Sequence, residues 1–97
     1  MFSWFDARES KEFGIALADF FIERLPLEAT GKKNKSLVKK KEVLDKGILK
    51  VRAFRQGHKL NVYKKAQLGN VFKWRMREAH YDAEFVDELT NIVMTQL

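Results

Sequence analysis

From Asp6 onward the apolar residues of this chain recur at steps of three and four, the spacing of one face of a helix. Phe13, Ala16/Leu17, Phe20/Phe21 and Leu25 form the first series, while Arg8, Glu12, Asp19 and Glu23 point elsewhere. Asp6, followed three residues later by Glu9, has the pattern of a helix cap, in which a side-chain oxygen accepts an orphan backbone N–H. Pro26 disfavours helical geometry at Leu25, so the first helix is expected over residues 7–24. Residues 26–35, Pro-Leu-Glu-Ala-Thr-Gly-Lys-Lys-Asn-Lys, join the only proline to a glycine and a polar cluster and read as a flexible connecting loop.

A second helix is expected over 36–56, capped by Ser36 or Asn34. Its stripe is Leu37, Leu44, Ile48 and Val51, widened by Val38, Leu49 and Phe54, and Gly57 is placed as the residue after its C-cap. Gly47 inside this pattern costs about 1 kcal/mol relative to alanine and marks a bend or a close helix crossing. Asn61 caps a third helix, 61–79, whose stripe is Val62, Ala66, Gly69, Phe72, Met76 and Ala79. Asp82 caps a fourth, 83–96, with an apolar face of Phe85/Val86, Leu89, Ile92/Val93 and Leu97 and with Glu84, Asp87 and Glu88 near its start, where they complement the helix dipole. The short link from Ala79 to Asp82 makes helices three and four neighbours. Only Phe2-Ser3-Trp4-Phe5 has any strand character, and it is too short to found a sheet; these aromatics are expected to close one end of the core. The expected fold is all-α, a compact single domain of about four helices spanning residues 1–97.

Composition narrows the function classes. A chain of 97 residues has room for one modest core, and 45% hydrophobic with 33% charged residues is the make-up of a folded domain. With no cysteine, disulfide scaffolds, thiolate zinc sites, iron–sulfur clusters and thiol nucleophiles are excluded. The first residues lack a positive n-region and no run of eighteen apolar residues occurs, so neither a secretory signal nor a spanning helix is expected, and the default compartment is cytoplasmic.

Charge is distributed in blocks. Residues 1–30 carry three basic and six acidic groups, residues 31–77 sixteen basic and two acidic, and residues 78–97 five acidic groups with no Lys or Arg. The net +6 is therefore an acidic–basic–acidic pattern. Lysines as dense as Lys32, Lys33, Lys35, Lys39, Lys40 and Lys41 repel one another and sit unfavourably at the positive start of a helix. They call for a counter-anion, either the acidic helices of the protein itself or an external polyanion.

Catalytic and metal motifs fail on inspection. Thr30-Gly31-Lys32-Lys33 lacks the first glycine of a phosphate loop, since Pro26 stands there. His80 and Glu84 are four apart but flank a cap at Asp82, and His58 has no third group to support a base. No catalytic residue, metal, cofactor or small-molecule substrate is expected, and the protein reads as a non-enzyme. On helix three, Tyr63, Gln67, Asn70, Trp74 and Arg77 fall within about 80° of one another, nearly opposite the apolar stripe. Amides suit base edges, while tryptophan and guanidinium suit stacking.

The segment from Lys59 to Trp74, with the aromatic-rich start, resembles a family of short uncharacterised bacterial helical proteins, a resemblance that implies a helical fold and carries no activity. The Gly57-His58-Lys59-Leu60 link also suggests, by analogy, a helix-turn-helix formed by helices two and three. Two function readings follow. In the first, the chain is a nucleic-acid-binding module, with Lys39, Lys40, Lys46, Lys50, Arg52 and Arg55 on phosphates and Gln67, Asn70, Trp74 and Arg77 on bases. In the second, it is a protein-interaction or self-assembling helical module in which the basic segment meets an acidic protein surface. Membrane binding is not expected in either.

Overall fold

The computed structural model describes residues 6–25 and 37–97, with the side chains of 37–39 outside the description. Four helices are present in it: α1 (Arg8–Arg24), α2 (Leu37–Gly57), α3 (Val62–Glu78) and α4 (Ala83–Gln96). There is no strand among the described residues, and the domain is all-α. The expected N-terminal aromatic closure, the 26–35 loop and the Ser36 or Asn34 cap lie outside the described residues.

Two of the expected caps form as their chemistry dictates. Asn61 Oδ1 accepts the Lys64 N–H at 2.8 Å, and Asp82 Oδ2 accepts the Phe85 N–H at 3.1 Å. The other two expectations need correction. Asp6 lies one residue too early, because the N-cap of α1 is Ala7; its carboxylate instead accepts the Arg8 N–H at 3.2 Å. That bond, followed by the Arg8 charge, holds the Asp6 carboxyl below its ordinary pKa. Gly57 is the last residue of α2, and no glycine has a positive φ among the described residues. The left-handed position falls at His80, φ 74°, just past α3, where its N–H donates to the Arg77 carbonyl at 2.9 Å.

Contacts between named residues fix the directions of the helices. Phe21 lies against Gly47, and Phe13 stacks on Phe54, so α1 and α2 are antiparallel. Gly14 meets Leu68 and Val71, while Asp19 meets Arg75, so α1 and α3 run parallel. Lys40 reaches Phe85 and Arg52 reaches Gln96, so α2 and α4 are parallel too. Around the bundle α1 touches α2 and α3, and α4 touches the same two; α1 and α4 take opposite corners, as do α2 and α3. Helices two and three therefore do not pack on each other as the two arms of a helix-turn-helix, and that analogy is withdrawn.

The core is Leu17, Ala18, Phe21, Val51, Leu68, Phe72, Met76, Val86, Leu89 and Val93, joined by Val43, Leu25, Tyr81 and Leu97. The stripe read from sequence is right for α4. In the others part of it is buried as expected, Leu17, Phe21 and Leu25 in the first, Val51 in the second and Gly69, Phe72 and Met76 in the third, while other members face out. In α3 Val62 is 80% exposed and Ala66 is exposed, while Leu68 is fully buried. In α2 Leu49 is 63% exposed, and the inward row runs through Val43, Gly47 and Val51. On α1 the surface facing α3 is built from small residues, Ser10, Gly14 and Ala18, all buried and four apart. A Cβ on Gly14 would stand 2.7 Å from the Leu68 carbonyl oxygen, so the two backbones are nearly in contact.

Tyr81, in the link before α4, closes this end of the core. Its hydroxyl donates to the carbonyl of Leu25 and lies 3.4 Å from that of Ile22, satisfying acceptors that the end of α1 leaves open. Burial raises the phenol pKa above its ordinary value, which keeps the donor proton in place.

Two predictions come from this packing. In chemical denaturation, Gly14→Ala loses about 1–2 kcal/mol, because overpacking against a backbone outweighs the gain in helix propensity. Gly69→Ala is neutral or stabilising by up to about 1 kcal/mol, since the atom in its way is the flexible Met94 thioether; equal losses at both glycines would contradict the close-approach account. Tyr81→Phe loses about 1–2 kcal/mol, read as a lowered unfolding midpoint with an unchanged slope.

Candidate nucleic-acid interface

α2 carries seven Lys or Arg against two carboxylates, and α3 five against one; α4 carries three carboxylates and no Lys or Arg. Because α2 and α3 are at opposite corners, the basic helices are kept apart by α1 and α4. The ten residues read from sequence as one interface thus divide into two surfaces. Lys40, Lys46, Lys50, Arg52 and Arg55 belong to α2; Gln67, Asn70, Trp74 and Arg77 belong to α3. The Lys39 side chain lies outside the described residues.

On α2 the cations divide again, between two edges. Toward α4, Arg52 Nε donates to Gln96 Oε1 at 2.9 Å and Arg55 Nη1 donates to the Gln96 carbonyl at 3.4 Å. Farther up the same edge, Lys40 Nζ stands 4.9 Å above the Phe85 ring. Toward α1, Lys50 Nζ stands 5.0 Å from the Phe20 ring, and Lys46 is exposed. Among the described residues the ion pairs of the cations are Arg8–Asp6, Arg24–Glu23, Lys41–Asp45, Lys73–Asp87, Arg75–Asp19 and His58–Glu9. None of them uses Lys40, Lys46, Lys50, Arg52 or Arg55; Arg52 and Arg55 bond the Gln96 amide and carbonyl, and Lys40 and Lys50 stand over ring faces.

Arg52 and Arg55 have a local reason to stand where they do. The last turn of α4 contains no basic residue, and its carbonyls are the negative end of the helix dipole. Because α2 and α4 run in the same direction, the end of α2 supplies that charge from outside. Sequence reasoning missed this role; the signal was there, in an acidic helix with no cation near its C-terminus.

The α3 surface has the composition the projection gave it. Trp74 is 53% exposed, with the Arg77 guanidinium carbon 5.4 Å from its ring, and Asn70 is exposed beside them. On either side the helix is tied down. Lys73 pairs with Asp87 of α4 at 3.5 Å, and Arg75 forms a two-point bridge to Asp19 of α1 at 2.8 and 3.3 Å. The hydrogen bond to Asp19, then its charge, raises the Arg75 pKa above its ordinary value. The stacking face is thereby held directly outward, away from α2.

The two histidines have local structural partners. His58 lies stacked on Phe54 with ring centroids 4.1 Å apart, Nδ1 2.9 Å from the Phe54 carbonyl and Nε2 3.7 Å from Glu9. His80 occupies the left-handed position after α3. Among the described residues no group of three or more His, Asp or Glu is placed to hold a metal ion. A cavity of about 130 Å³ between α1, α2 and α4 is apolar apart from Lys40 and Glu88 at its lip. No helix of the described residues is long and apolar enough to cross a membrane. No family model, curated protein or solved structure matches the chain.

The exposure of Trp74 makes a stability prediction. Trp74→Ala changes unfolding free energy by less than about 0.5 kcal/mol, as for other surface changes. A loss of several kcal/mol would show that the indole belongs to the core and not to a recognition face.

Proposed function

We propose that this protein is a non-enzymatic nucleic-acid-binding module whose phosphate contacts lie along the edge of α2 that faces α4. One observation carries the reading: Lys40, Arg52 and Arg55 line that edge, and none of the ion pairs among the described residues gives any of the three a carboxylate partner. Two of them are guanidinium groups already oriented by bonds to Gln96, and an oriented guanidinium suits a phosphate oxygen pair. The α3 face with Trp74, Asn70 and Arg77 is a separate, stacking surface suited to unpaired bases. Carboxylates on α1 and α4 lie between the two, so a short duplex bound at α2 does not reach Trp74.

Fluorescence anisotropy with labelled duplex and single-stranded oligonucleotides at roughly 50 and 200 mM salt tests this, over a range where phosphate-driven affinity falls steeply. Arg52→Ala weakens binding to every sequence alike and reduces the salt slope by about 1. Trp74→Ala leaves duplex binding unchanged and weakens single-strand binding. Absence of binding at the lower salt, or binding indifferent to Arg52→Ala, would overturn the assignment.

A further inference from the structure

Between α1 and α2, away from α3 and α4, runs an open groove of about 400 Å³. Phe13, Ala16 and Phe20 line it from α1, and Ala53, Phe54 and Lys50 from α2. At one end Phe13 stacks on Phe54 across the two helices at 4.3 Å and 9°, and toward the other Arg24 and Lys50 stand over the Phe20 ring at 4.3 and 5.0 Å. Both alanines are exposed, so the middle of the groove is shallow and free of bulky side chains. One turn before Ala53, Leu49 stands 63% exposed and continues the apolar strip over the outside of α2. An apolar strip of this kind, bounded by charges, is the usual form of a contact surface.

The two rims differ in sign. The α1 rim carries Glu12 and Glu23; the exposed Arg24 lies over the Phe20 ring, 4.3 Å from its centre, and pairs with Glu23 at 3.3 Å, so the rim is acidic by one net charge and Glu23 exchanges this neighbour for Lys46 on pairing. The α2 rim carries Lys46 and Lys50. A foreign helix of one charge laid in this groove meets one rim of its own sign. A second copy of the chain does not: a two-fold axis parallel to the helices puts the α1 rim of each copy against the α2 rim of the other, as a closed isologous contact requires.

Heights along the groove agree with that operation. Gly47 lies level with Phe21, and Phe54 with Phe13, so Lys46 is level with Glu23 and the Ala16 notch with the turn from Leu49 to Ala53. The two-fold axis preserves these heights. We propose that the α1–α2 groove is the contact surface between two copies of this protein, with Leu49 and Ala53 of each copy over Ala16 of the other and Lys46 against Glu23. The pairing is independent of the polyanion edge, since Arg52 and Arg55 face α4 and remain outside the contact.

Sedimentation equilibrium of the full chain across concentration and salt tests the inference, with circular dichroism to verify that each variant is folded. The unmodified chain is expected at twice its 11.4 kDa mass, with dissociation rising as salt screens the rims. Ala53→Glu, a carboxylate placed in the groove at an exposed helix position, loosens the dimer at least tenfold. Glu23→Lys and Lys46→Glu each loosen it several-fold, because each sets like charges face to face twice; an equimolar mixture of these two variants regains the dimer, since opposite charges meet again in both contacts. A monomer at every concentration, a dimer unmoved by Ala53→Glu, or a mixture that stays monomeric would each overturn the proposal.

Discussion

The close approach of α1 to α3 is the constraint on which the remaining geometry depends. Ser10, Gly14 and Ala18 present almost no side-chain bulk, so α3 sits nearly backbone to backbone against α1 at the level of Leu68. The larger residues of both helices are then turned to the flanks. Phe21 and Phe72 meet edge-on at 5.9 Å in the centre of the core, a favoured aromatic geometry. Phe21 fills the space that Gly47 leaves on α2, and Met94 of α4 lies over Gly69. Three of the four helix contacts thus have a glycine at the crossing, and each glycine receives a large side chain from the next helix or, at Gly14, its backbone.

This packing order turns a linear charge pattern into an alternating one. The acidic–basic–acidic chain has its surplus positive charge on α2 and α3 and its surplus negative charge on α4, with the balance slightly acidic on α1. Because like-signed helices take opposite corners, each of the four principal helix contacts joins helices of unlike sign. The bridges Asp19–Arg75 and Lys73–Asp87 are the local expression of this order, and both tie α3. Exposed pairs of this sort contribute roughly 0.2–1 kcal/mol each, so their weight lies more in choosing the arrangement than in stabilising it. Among the described residues no Lys or Arg of α2 makes such a bridge to a neighbouring helix.

Helix existence and most limits were legible in the sequence: Asn61 and Asp82 cap through local backbone chemistry that needs no tertiary partner, and α1 ends at Arg24 with Leu25 extended, the geometry expected before a proline. The facing of the helices was less legible. The expected crossing at Gly47 and the stripe position of Gly69 hold, but a stripe drawn through the most hydrophobic residues favours Val62 and Leu49 and passes over Gly14, the residue at the closest approach of two backbones. Hydrophobicity marks what prefers to leave water, whereas close crossings select for lack of volume, and a pattern of apolar letters records only the first. The candidate interface suffered for a related reason. Its residue types and the outward projection of Trp74 followed from helical geometry, but whether α2 and α3 share a surface is set by which helices touch, and chain order gave no indication that α1 would choose α3.

That choice also bears on the order in which the molecule can be assembled. The most extensive contact joins segments such as Gly14 and Leu68, or Asp19 and Arg75, that are more than fifty residues apart along the chain. A growing polypeptide that has released α1 and α2 from the ribosome still lacks the surface against which α1 is shaped. Until α3 emerges, the small-residue face has no partner, and a hairpin of the first two helices would meet mainly at Phe21 and Gly47 and along the Phe13–Phe54 stack. Closure of the core therefore waits for α3 and depends on contacts distant in sequence, an ordering that slows folding relative to bundles whose consecutive helices are the main partners.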